Sequence, residues 1–283
     1  MSALEYRDDE ARDGAWCLTA DPKSVEARFG LGDCHPDGPG GSRCSFRWPA
    51  WARDASGKRA LGVLMVLADR ILGELPHARR APNQWSLTTE LTVDVIGPAE
   101  PPDDLSAGAV LLGAQTGDGF ARCEMTDRAG SVVVVGTSRL VYVAADLATS
   151  NVDGTAGGQI DVTGSTIDEA LGLEQASGTE GLHVTMSDPG SWVNDFGILH
   201  GGVAACLAEI AASRLVAESN PRLSTAQVHT TYLRPGPPSV PYTASAEAVH
   251  VGRRFAVVRV AGRSAGGELC NMSTVTARLS TFD

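Results

Sequence analysis

The sequence lacks the segments that would take it into or through a membrane. No stretch of its 283 residues approaches the roughly 20 consecutive apolar residues that a membrane-spanning helix needs. The N-terminus, MSALEYRDDEARDGAW, is charged and has no apolar core of the kind found in secretory signals. We therefore expect a cytoplasmic protein with no membrane partner.

Basic residues and paired cysteine motifs are also scarce. The chain has 23 Lys and Arg against 34 Asp and Glu, a formal charge of −11, which disfavours nucleic acid as a general partner. The six cysteines are scattered, contain no CxxC motif and fit no zinc spacing, so reduced thiols and no metal or cofactor are expected. Hydrophobic residues make up 43% of the chain, enough to bury a core and to exclude a disordered chain.

An internal repeat organises most of the sequence. GVLMVLAD at 62–69 matches GVAACLAE at 202–209 at an offset of 140 residues, and each copy places an acid within an apolar stretch. Three further pairs of segments follow the same order. They are the helix-like segments 24–31 and 166–173, the strand-like segments 87–98 and 224–235, and the hairpin-like segments 120–140 and 255–279.

The repeat predicts two equivalent domains. Residues 20–145 form the first and 159–283 the second, joined by a Gly/Ser/Thr/Asp-rich linker at 146–158. Helices are expected at 62–72 and 201–217. The second is apolar nearly all round and is therefore expected to be buried against a sheet. The predicted class is α+β, with two antiparallel sheets that each wrap a long central helix and are related by a pseudo-twofold axis.

The segment NDFGILHGG at 194–202 carries the clearest chemical signal. Two glycines, Gly201 and Gly202, open the buried helix, where free amide groups and the positive end of the helix dipole lie. Glycine lets a ligand approach the backbone closely. Such a helix start suits a carbonyl oxygen that becomes an oxyanion during a reaction, although a tight strand-to-helix turn without a ligand has the same sequence.

The pattern N-x-x-G-x-x-H-G-G, followed by an acid nine residues after the histidine, resembles the hotdog-fold acyl-CoA thioesterases. It is most similar to the branch of the phenylacetic-acid-pathway and 4-hydroxybenzoyl-CoA thioesterases. The resemblance covers Asn194 to Glu209 closely and the strand at 225–235 loosely. Together with the repeat it implies a double hotdog that takes acyl-CoA as substrate, and a homo-oligomer of such chains is left open.

The resemblance also implies roles for individual residues. The amide of Gly201 would polarise the thioester carbonyl, Asn194 would position substrate or water, and His200 would shape the turn. An acid on the central helix would activate water or attack directly, and Glu209 holds that position in the second domain. The first domain keeps an acid at Asp69.

The first domain departs from the motif at its other positions. Ala60 and Leu61 stand where the second domain has histidine and glycine, and Asp54 replaces the asparagine. The first domain has therefore lost the end that would bind a carbonyl, while it retains the carboxylate.

Helix geometry decides which acid meets which turn. Nine residues along an α-helix give a rise of about 13.5 Å and half a turn beyond two full turns. Glu209 therefore points away from His200 and Gly201 on its own helix, so the acid must come from another copy of the repeat. We expect Asp69 to face Asn194, His200 and Gly201. The alternative is that Glu209 meets the Gly201 of another chain.

Other candidates rest on residue type alone. Thr88, on the strand after the first helix, could orient water beside the acid. Arg234 and the turn Gly252-Arg253-Arg254 could meet the phosphates of coenzyme A, because guanidinium groups bind phosphate well. The sequence does not distinguish these residues from an ordinary threonine in a strand or a solvated arginine in a loop.

These residues predict an enzyme that hydrolyses acyl-CoA thioesters without a metal or bound cofactor. The sequence does not choose between a carboxylate base and a carboxylate nucleophile. Two alternatives stay open, a hotdog hydratase or dehydratase and a non-catalytic acyl-CoA-binding protein, because one scaffold hosts many functions.

Overall fold

The computed structural model describes residues 24–144 except 39, 99, 115 and 116, residue 162, and residues 164–279 except 179 and 180. The linker expected at 146–158 lies outside the described residues. Below, the N-terminal half means the described residues up to Ala144, and the C-terminal half means those from Val162 onward. The domain boundaries themselves stay a prediction.

Four α-helices and twelve strands make up the described fold. The helices are α1 (Val25–Arg28), α2 (Val63–Ala78), α3 (Ile167–Leu171) and α4 (Gly201–Ser219). The strands of the N-terminal half are β1 (Leu31–Pro36), β2 (Gly41–Arg47), β3 (Gln84–Val95), β4 (Asp104–Ala114), β5 (Asp118–Thr126) and β6 (Val132–Ala144). Those of the C-terminal half are β7 (Leu173–Gly178), β8 (Gly181–Met186), β9 (Leu223–Tyr232), β10 (Tyr242–Val251), β11 (Phe255–Ser264) and β12 (Leu269–Leu279).

All twelve strands belong to one antiparallel sheet, whereas two sheets were expected. The strand order is β1-β2-β4-β5-β6-β3-β9-β12-β11-β10-β8-β7. Outward from the central pair of β3 and β9, the strands of the two halves follow in the same order. The two six-stranded halves join because β3 and β9 hydrogen-bond to each other along their free edges. Pairing these edges satisfies backbone groups that two separate sheets would leave exposed.

The centre of the sheet lies on the axis that relates the repeats. Thr92 on β3 pairs directly with His229 on β9, and these residues are equivalent at the 137-residue offset of the strands. Their side chains are in contact, with 2.8 Å between Thr92 Oγ1 and His229 Nδ1. Antiparallel pairing centred on equivalent residues is what a twofold axis through the sheet produces.

The two long helices, α2 and α4, pack against each other in antiparallel directions on the sheet. A Cβ at Gly202 would lie 2.6 Å from Cα of Val66, and a Cβ at Gly62 would lie 2.7 Å from Sγ of Cys206. These two contacts exchange under the 140-residue offset. Glycine at each helix start therefore lets the other helix approach closely.

Both long helices are largely buried. α4 buries twelve of its residues, including all eleven from Gly202 to Ala212. α2 buries eleven and extends beyond the predicted Leu72 to Ala78. None of the described helices is long and apolar enough to cross a bilayer. The five described cysteines are buried and free.

Candidate functional site

His200 is the residue before α4, and its side chain caps the start of the helix. Nδ1 of His200 accepts a hydrogen bond from the Gly202 amide at 3.0 Å. The amides of the first turn have no acceptor within the helix, so they point out of its end. The Gly201 carbonyl accepts a hydrogen bond from Tyr232 Oη at 2.8 Å, which fixes the helix start against β9.

Asp69 reaches this helix start from the other half of the chain. Its Oδ2 accepts a hydrogen bond from the Gly202 amide at 2.8 Å and lies 3.4 Å from His200 Nδ1. A Cβ at Gly201 would lie 3.0 Å from the same oxygen, so glycine leaves room beside the carboxylate. The cross-half arrangement that the helix geometry predicted is thus present in one chain.

Thr88 holds the second oxygen of this carboxylate. Thr88 Oγ1 donates to Asp69 Oδ1 at 3.0 Å, from the strand that follows α2. With one oxygen bound to a threonine and the other to a helix amide, the carboxylate has a fixed plane. A carboxylate ordered in this way can accept a proton from water or attack a carbon without first reorganising.

His200 links Asp69 to a second carboxylate. Nε2 of His200 lies 3.5 Å from Glu26 Oε1, and Arg70 Nη1 lies 3.5 Å from the same Glu26 oxygen. Arg70 also pairs with Glu74, one turn along α2, at 3.3 Å. The imidazole therefore lies between two acids on its opposite edges.

This environment favours the charged form of both His200 and Glu26. Burial lowers the pKa of the imidazole, but the hydrogen bond to Glu26 and the charges of Glu26 and Asp69 outweigh it, so the pKa of His200 is raised. Burial likewise raises the pKa of Glu26, and the contact with His200 and the charge of Arg70 reverse this and hold it well below its usual range. When His200 is protonated, Nδ1 carries a proton toward Asp69, and the Gly202 amide keeps its bond to the carboxylate.

Asn194 uses its carbonyl to shape the loop before the helix. Oδ1 accepts hydrogen bonds from the amides of Phe196 at 3.0 Å and Ile198 at 3.4 Å, and Gly197 closes the turn with φ 67°. Asp54 does the same in the N-terminal half, where its Oδ1 accepts from the Ser56 and Lys58 amides. The side-chain carbonyl of Asn194 therefore accepts hydrogen bonds from its own loop. The side-chain amide group of Asn194 is what Asp54 lacks.

A cavity of about 370 Å³ opens beside this helix start, between the two halves. Six of the predicted site residues line it, namely Asp69, Thr88, Asn194, His200, Gly201 and Arg234. Aromatic rings of both halves meet in its wall, where Trp85 and Phe196 make an edge contact with their centroids 4.7 Å apart. A substrate in this cavity would therefore touch both halves of the chain.

Glu209 occupies the equivalent position in the reciprocal arrangement. Its Oε2 accepts from the Gly62 amide at 2.9 Å, and its Oε1 accepts from Thr225 Oγ1 at 2.6 Å. Thr225 is the counterpart of Thr88 at the 137-residue offset, so both acids are held by the same types of partner. Glu209 thus contacts the N-terminal half of its own chain, as expected from the repeat.

The two acids differ in their access to solvent. The Asp69 side chain is 11% exposed and lines the cavity, whereas Glu209 is 2% exposed and is not among the residues that line it. Burial raises the pKa of Glu209 against the lowering effect of its two hydrogen bonds. The buried Leu61 stands beside it where the other half has Gly201.

The predicted phosphate-binding turn lies elsewhere. The carbonyl of Gly252 accepts a hydrogen bond from Nδ2 of Asn220, which follows the C-terminus of α4. The 19 residues of α4 separate this point from Gly201 by roughly 27 Å. The structure therefore does not bring Gly252, Arg253 and Arg254 into the cavity with the other candidates.

Sequence reasoning missed two residues of the site. Glu26 lies half-buried on α1, which the repeat had paired with α3, and no local signal in the sequence indicated its contact with His200. Tyr232 lies in the strand-like segment 224–235 of the second copy of the repeat. Nothing in the sequence of that segment indicated a hydrogen bond to Gly201. Among the described residues, no group of three or more His, Cys, Asp or Glu side chains could hold a metal ion.

A protein-family comparison matches residues 189–280 to the acyl-CoA thioesterase N-terminal domain. The match includes the loop at 194–199, the helix α4 and strands β9 to β12, and so covers about a third of the chain. It confirms the prediction of a thioester hydrolase for this segment. No curated protein matches the sequence.

Solved structures are similar over most of the chain. The tesB protein of Mycobacterium avium subs paratuberculosis aligns with a TM-score of 0.60 and 11% identity, covering 90% of this chain and 98% of that one. Acyl-CoA thioesterase II TesB2 of Mycobacterium marinum gives a TM-score of 0.58 at 12% identity, with the same coverage. An acyl-ACP thioesterase of Bacteroides thetaiotaomicron gives 0.58 at 11% identity, covering 90% and 100%. At these identities the likeness establishes a shared fold.

Proposed function

We propose that the chain hydrolyses acyl-CoA thioesters at one site, formed by Asp69 of the N-terminal half and the start of α4 in the C-terminal half. The observation that carries this proposal is the hydrogen bond of Asp69 to the Gly202 amide, at the wall of a cavity that both halves line. The family match of residues 189–280 supports the reaction class.

The thioester carbonyl would bind at the helix start. The Gly201 amide lies in the first turn of α4, where no intrahelical acceptor exists, and the helix dipole adds to its pull on a developing negative oxygen. The Gly202 amide is already bound to Asp69. The carbonyl oxygen therefore goes to Gly201, and its carbon lies beside the carboxylate.

Asp69 would supply the reactive carboxylate in either of two ways. As a general base it removes a proton from water while the water oxygen attacks the thioester carbon, and the thiolate of coenzyme A leaves with the electron pair of the C–S bond. As a nucleophile it forms an acyl-aspartyl anhydride that water then hydrolyses. In the base route the proton that Asp69 takes from water passes on to the leaving sulfur, while protonated His200, between Asp69 and Glu26, keeps the carboxylate in place.

We further propose that each half is a hotdog domain, so that the chain is a double hotdog with its two sheets merged at β3 and β9. Within that fold family the segment 194–202 resembles the phenylacetic-acid-pathway and 4-hydroxybenzoyl-CoA branch. The aromatic contact of Trp85 with Phe196 in the cavity wall supports an aromatic acyl group. Arg234, which also lines the cavity, is the cation proposed to meet coenzyme A.

The direct test is release of coenzyme A thiol from a panel of acyl-CoA esters. The panel contains straight-chain esters of graded length together with phenylacetyl-CoA and 4-hydroxybenzoyl-CoA. Turnover that depends on Asp69 supports the proposal. Tight binding of several esters without any thiol release would replace it with a binding function, and release that persists fully in Asp69→Asn would remove the proposed site.

A further inference from the structure

The short helix α1 brings a carboxylate to the start of α4 from the N-terminal half. Glu26 lies in the first turn of α1, and its side chain is 17% exposed. Its Oε1 lies 3.5 Å from His200 Nε2 and 3.5 Å from Arg70 Nη1. The proposed reaction assigns no step to Glu26, although this carboxylate lines the same cavity as Asp69.

The repeat provides a counterpart for Glu26 in the C-terminal half. At the 142-residue offset of the two short helices, Glu26 corresponds to Asp168 on α3. Each acid pairs with an arginine on the long helix of its own half. Glu26 pairs with Arg70 at 3.5 Å, and Asp168 pairs with Arg214 at 2.5 Å. An acid–arginine pair is therefore a feature of the fold in both halves.

The two halves differ in the residue on the other side of this acid. His200 lies beside Glu26, whereas the counterpart of His200 at the 140-residue offset is Ala60, which has no polar side chain. Among the described residues, the contact of this acid with an imidazole occurs at the helix start that also has Gly201 and Asp69, and the reciprocal helix start lacks it. The acid–arginine pair of the fold does not require this contact.

Hydrogen bonding decides which ring nitrogen of His200 carries a proton. Nδ1 accepts from the Gly202 amide at 3.0 Å, so in the neutral ring the proton is on Nε2 and faces Glu26. The lone pair of Nδ1 then lies 3.4 Å from Asp69 Oδ2. Both acceptors share the single Gly202 amide, so neutral His200 competes with Asp69 for one donor.

A second proton on His200 ends this competition. Nδ1 becomes a donor directed toward Asp69 Oδ2, and the Gly202 amide donates to Asp69 alone. This carboxylate oxygen then has two donors instead of a shared one, while Thr88 holds the other oxygen. Glu26 favours the charged ring, because its negative charge lies at the opposite edge of the imidazole.

The titratable groups around this contact come from four parts of the fold. They are Glu26 on α1, Asp69, Arg70 and Glu74 on α2, Asp195 in the loop before α4, and Tyr232 on β9. Burial and Arg70 disfavour a positive imidazole, but Glu26 and Asp69 outweigh them and raise the pKa of His200. Glu74 and Asp195 act on Arg70. Burial raises the pKa of Tyr232, so its phenol stays neutral.

We propose that Glu26 is a positioning residue for the reaction at Asp69 and that it acts through His200. This inference rests on the proposed function. The Glu26 carboxylate keeps His200 charged, and charged His200 holds the Asp69 carboxylate in one orientation beside the thioester carbon. Glu26 itself exchanges no proton with the substrate. Its loss should therefore lower kcat and leave KM nearly unchanged.

The test compares the pH dependence of kcat with the titration of His200. Thiol release is measured with the acyl-CoA ester that the native enzyme hydrolyses fastest, and the His200 ring is titrated by NMR. In the native enzyme kcat should fall as the pH rises through the pKa of His200. In Glu26→Gln, which keeps the shape and removes the charge, this fall should move to lower pH by the same amount as the titration. At the native optimum kcat should be lower by roughly 10-fold to 10²-fold, since a misplacement of 1 Å can cost 10²-fold.

A second variant keeps the charge but changes its distance. Glu26→Asp withdraws the carboxylate from His200 by one methylene group. The fall in kcat and the titration of His200 should again move together to lower pH, by less than in Glu26→Gln. A titration that moves while the fall in kcat stays in place, in either variant, would overturn the inference.

Two comparisons separate positioning from a structural role. Asp168→Asn breaks the corresponding acid–arginine pair, and neither Asp168 nor Arg214 lines the cavity, so the pH dependence of kcat should not change. His200→Asn removes the imidazole and keeps a side chain that caps helices well. Adding Glu26→Gln to His200→Asn should leave kcat as it is in His200→Asn. A further loss would show that Glu26 acts by another route and would overturn the inference.

The remaining outcomes distinguish this inference from the proposed function. A kcat in Glu26→Gln that is unchanged or raised would overturn the inference while leaving thioester hydrolysis intact. A loss that Asp168→Asn reproduces would show a structural role and overturn it as well. Thermal melts at each assay pH establish that every variant is folded. A native chain that hydrolyses no ester would overturn the proposed function and this inference together.

Discussion

The two acids at the helix starts offer a matched comparison within one chain. Asp69 and Glu209 each accept one hydrogen bond from a helix amide and one from a strand threonine. Asp69→Asn and Glu209→Gln keep the shape of each side chain and remove the charge. Because these two hydrogen bonds are alike, a difference in activity has to come from what else surrounds each carboxylate, namely its access to substrate and, for Asp69, the neighbouring His200.

We expect Asp69→Asn to lower kcat by about 10²–10⁴, because a general base in position contributes that much to the rate. This corresponds to about 2.7–5.4 kcal/mol in the activation free energy. A larger loss would favour the nucleophile role. The asparagine oxygen can still accept the Gly202 amide, and the Thr88 hydroxyl can turn to accept from the new amide group, so the fold should persist.

We expect Glu209→Gln to retain most of the activity, since Glu209 is 2% exposed and does not line the cavity. The assay is thiol release under saturating acyl-CoA, with thermal melts of both variants as the folding control. An inactive Glu209→Gln beside an active Asp69→Asn would refute the assignment of the site to Asp69 and indicate that chains exchange sites. Full activity in both variants would refute a carboxylate mechanism at either position.

The structure predicts the results of four further perturbations. Glu26→Gln should lower the pKa of His200 toward or below the ordinary 6.5, measured by NMR titration of the ring, and an unchanged pKa would contradict the contact. The lowered pKa of Glu26 contributes fully to stability above 4.5 and less as the pH falls, and the raised pKa of His200 contributes fully below 6.5 and less as the pH rises. Glu26→Gln should therefore destabilise the protein most between pH 4.5 and 6.5. Glu209→Gln should be as stable as the native protein at low pH and increasingly more stable as the pH rises above 4.5. The reason is that the raised pKa of Glu209 makes ionisation of this buried acid cost stability. Melting temperatures of the variant and the native protein that differ by the same amount at every pH would count against this. Gly202→Ala should lower the free energy of unfolding by about 1–3 kcal/mol, because its Cβ would press into the backbone of α2. The control Gly73→Ala should not lower it, because the space around Gly73 is open. Urea denaturation measures both variants. Hydrolysis should continue in strong chelator, and its loss with recovery on adding zinc would refute a mechanism that uses only side chains and backbone.

The repeat in the sequence predicted more of the site than any single motif did. An acid that recurs at a fixed offset on an apolar helix indicates a conserved position in both halves, and helix geometry excluded a site within one helix. The structure agrees with the predicted contact of Asp69 with the start of α4. Its catalytic role stays a prediction until the variants are measured.

The union of the two halves into one sheet could not be predicted from the sequence. β3 and β9 each have strand composition, but composition does not tell whether an edge is covered by solvent, a loop or another strand. The register that opposes Thr92 to His229 occurs together with the close packing of two helices through Gly62 and Gly202. Such agreement between distant contacts has no local signal in the chain.

The arginine turn lies away from the cavity, and its contact with coenzyme A phosphates stays a prediction. Residue type alone suggested that Arg253 and Arg254 meet phosphate, but α4 carries that turn to its far end. Glu26 shows the opposite case. Its own helix has only four residues, yet packing brings it within 3.5 Å of His200, 174 positions along the chain.

Duplication of the contacts has not produced two equal sites. Both acids have an amide and a threonine as partners, so hydrogen bonding alone does not distinguish them. The residue at the helix start differs, since it is glycine at position 201 and leucine at position 61. The cavity differs as well, because Asp69 lines it and Glu209 does not. One half thus contributes the accessible carboxylate and the other the open amide. Because each contribution lies in a different half, neither half by itself contains the complete arrangement, and the sheet that joins them through β3 and β9 is part of what forms the site.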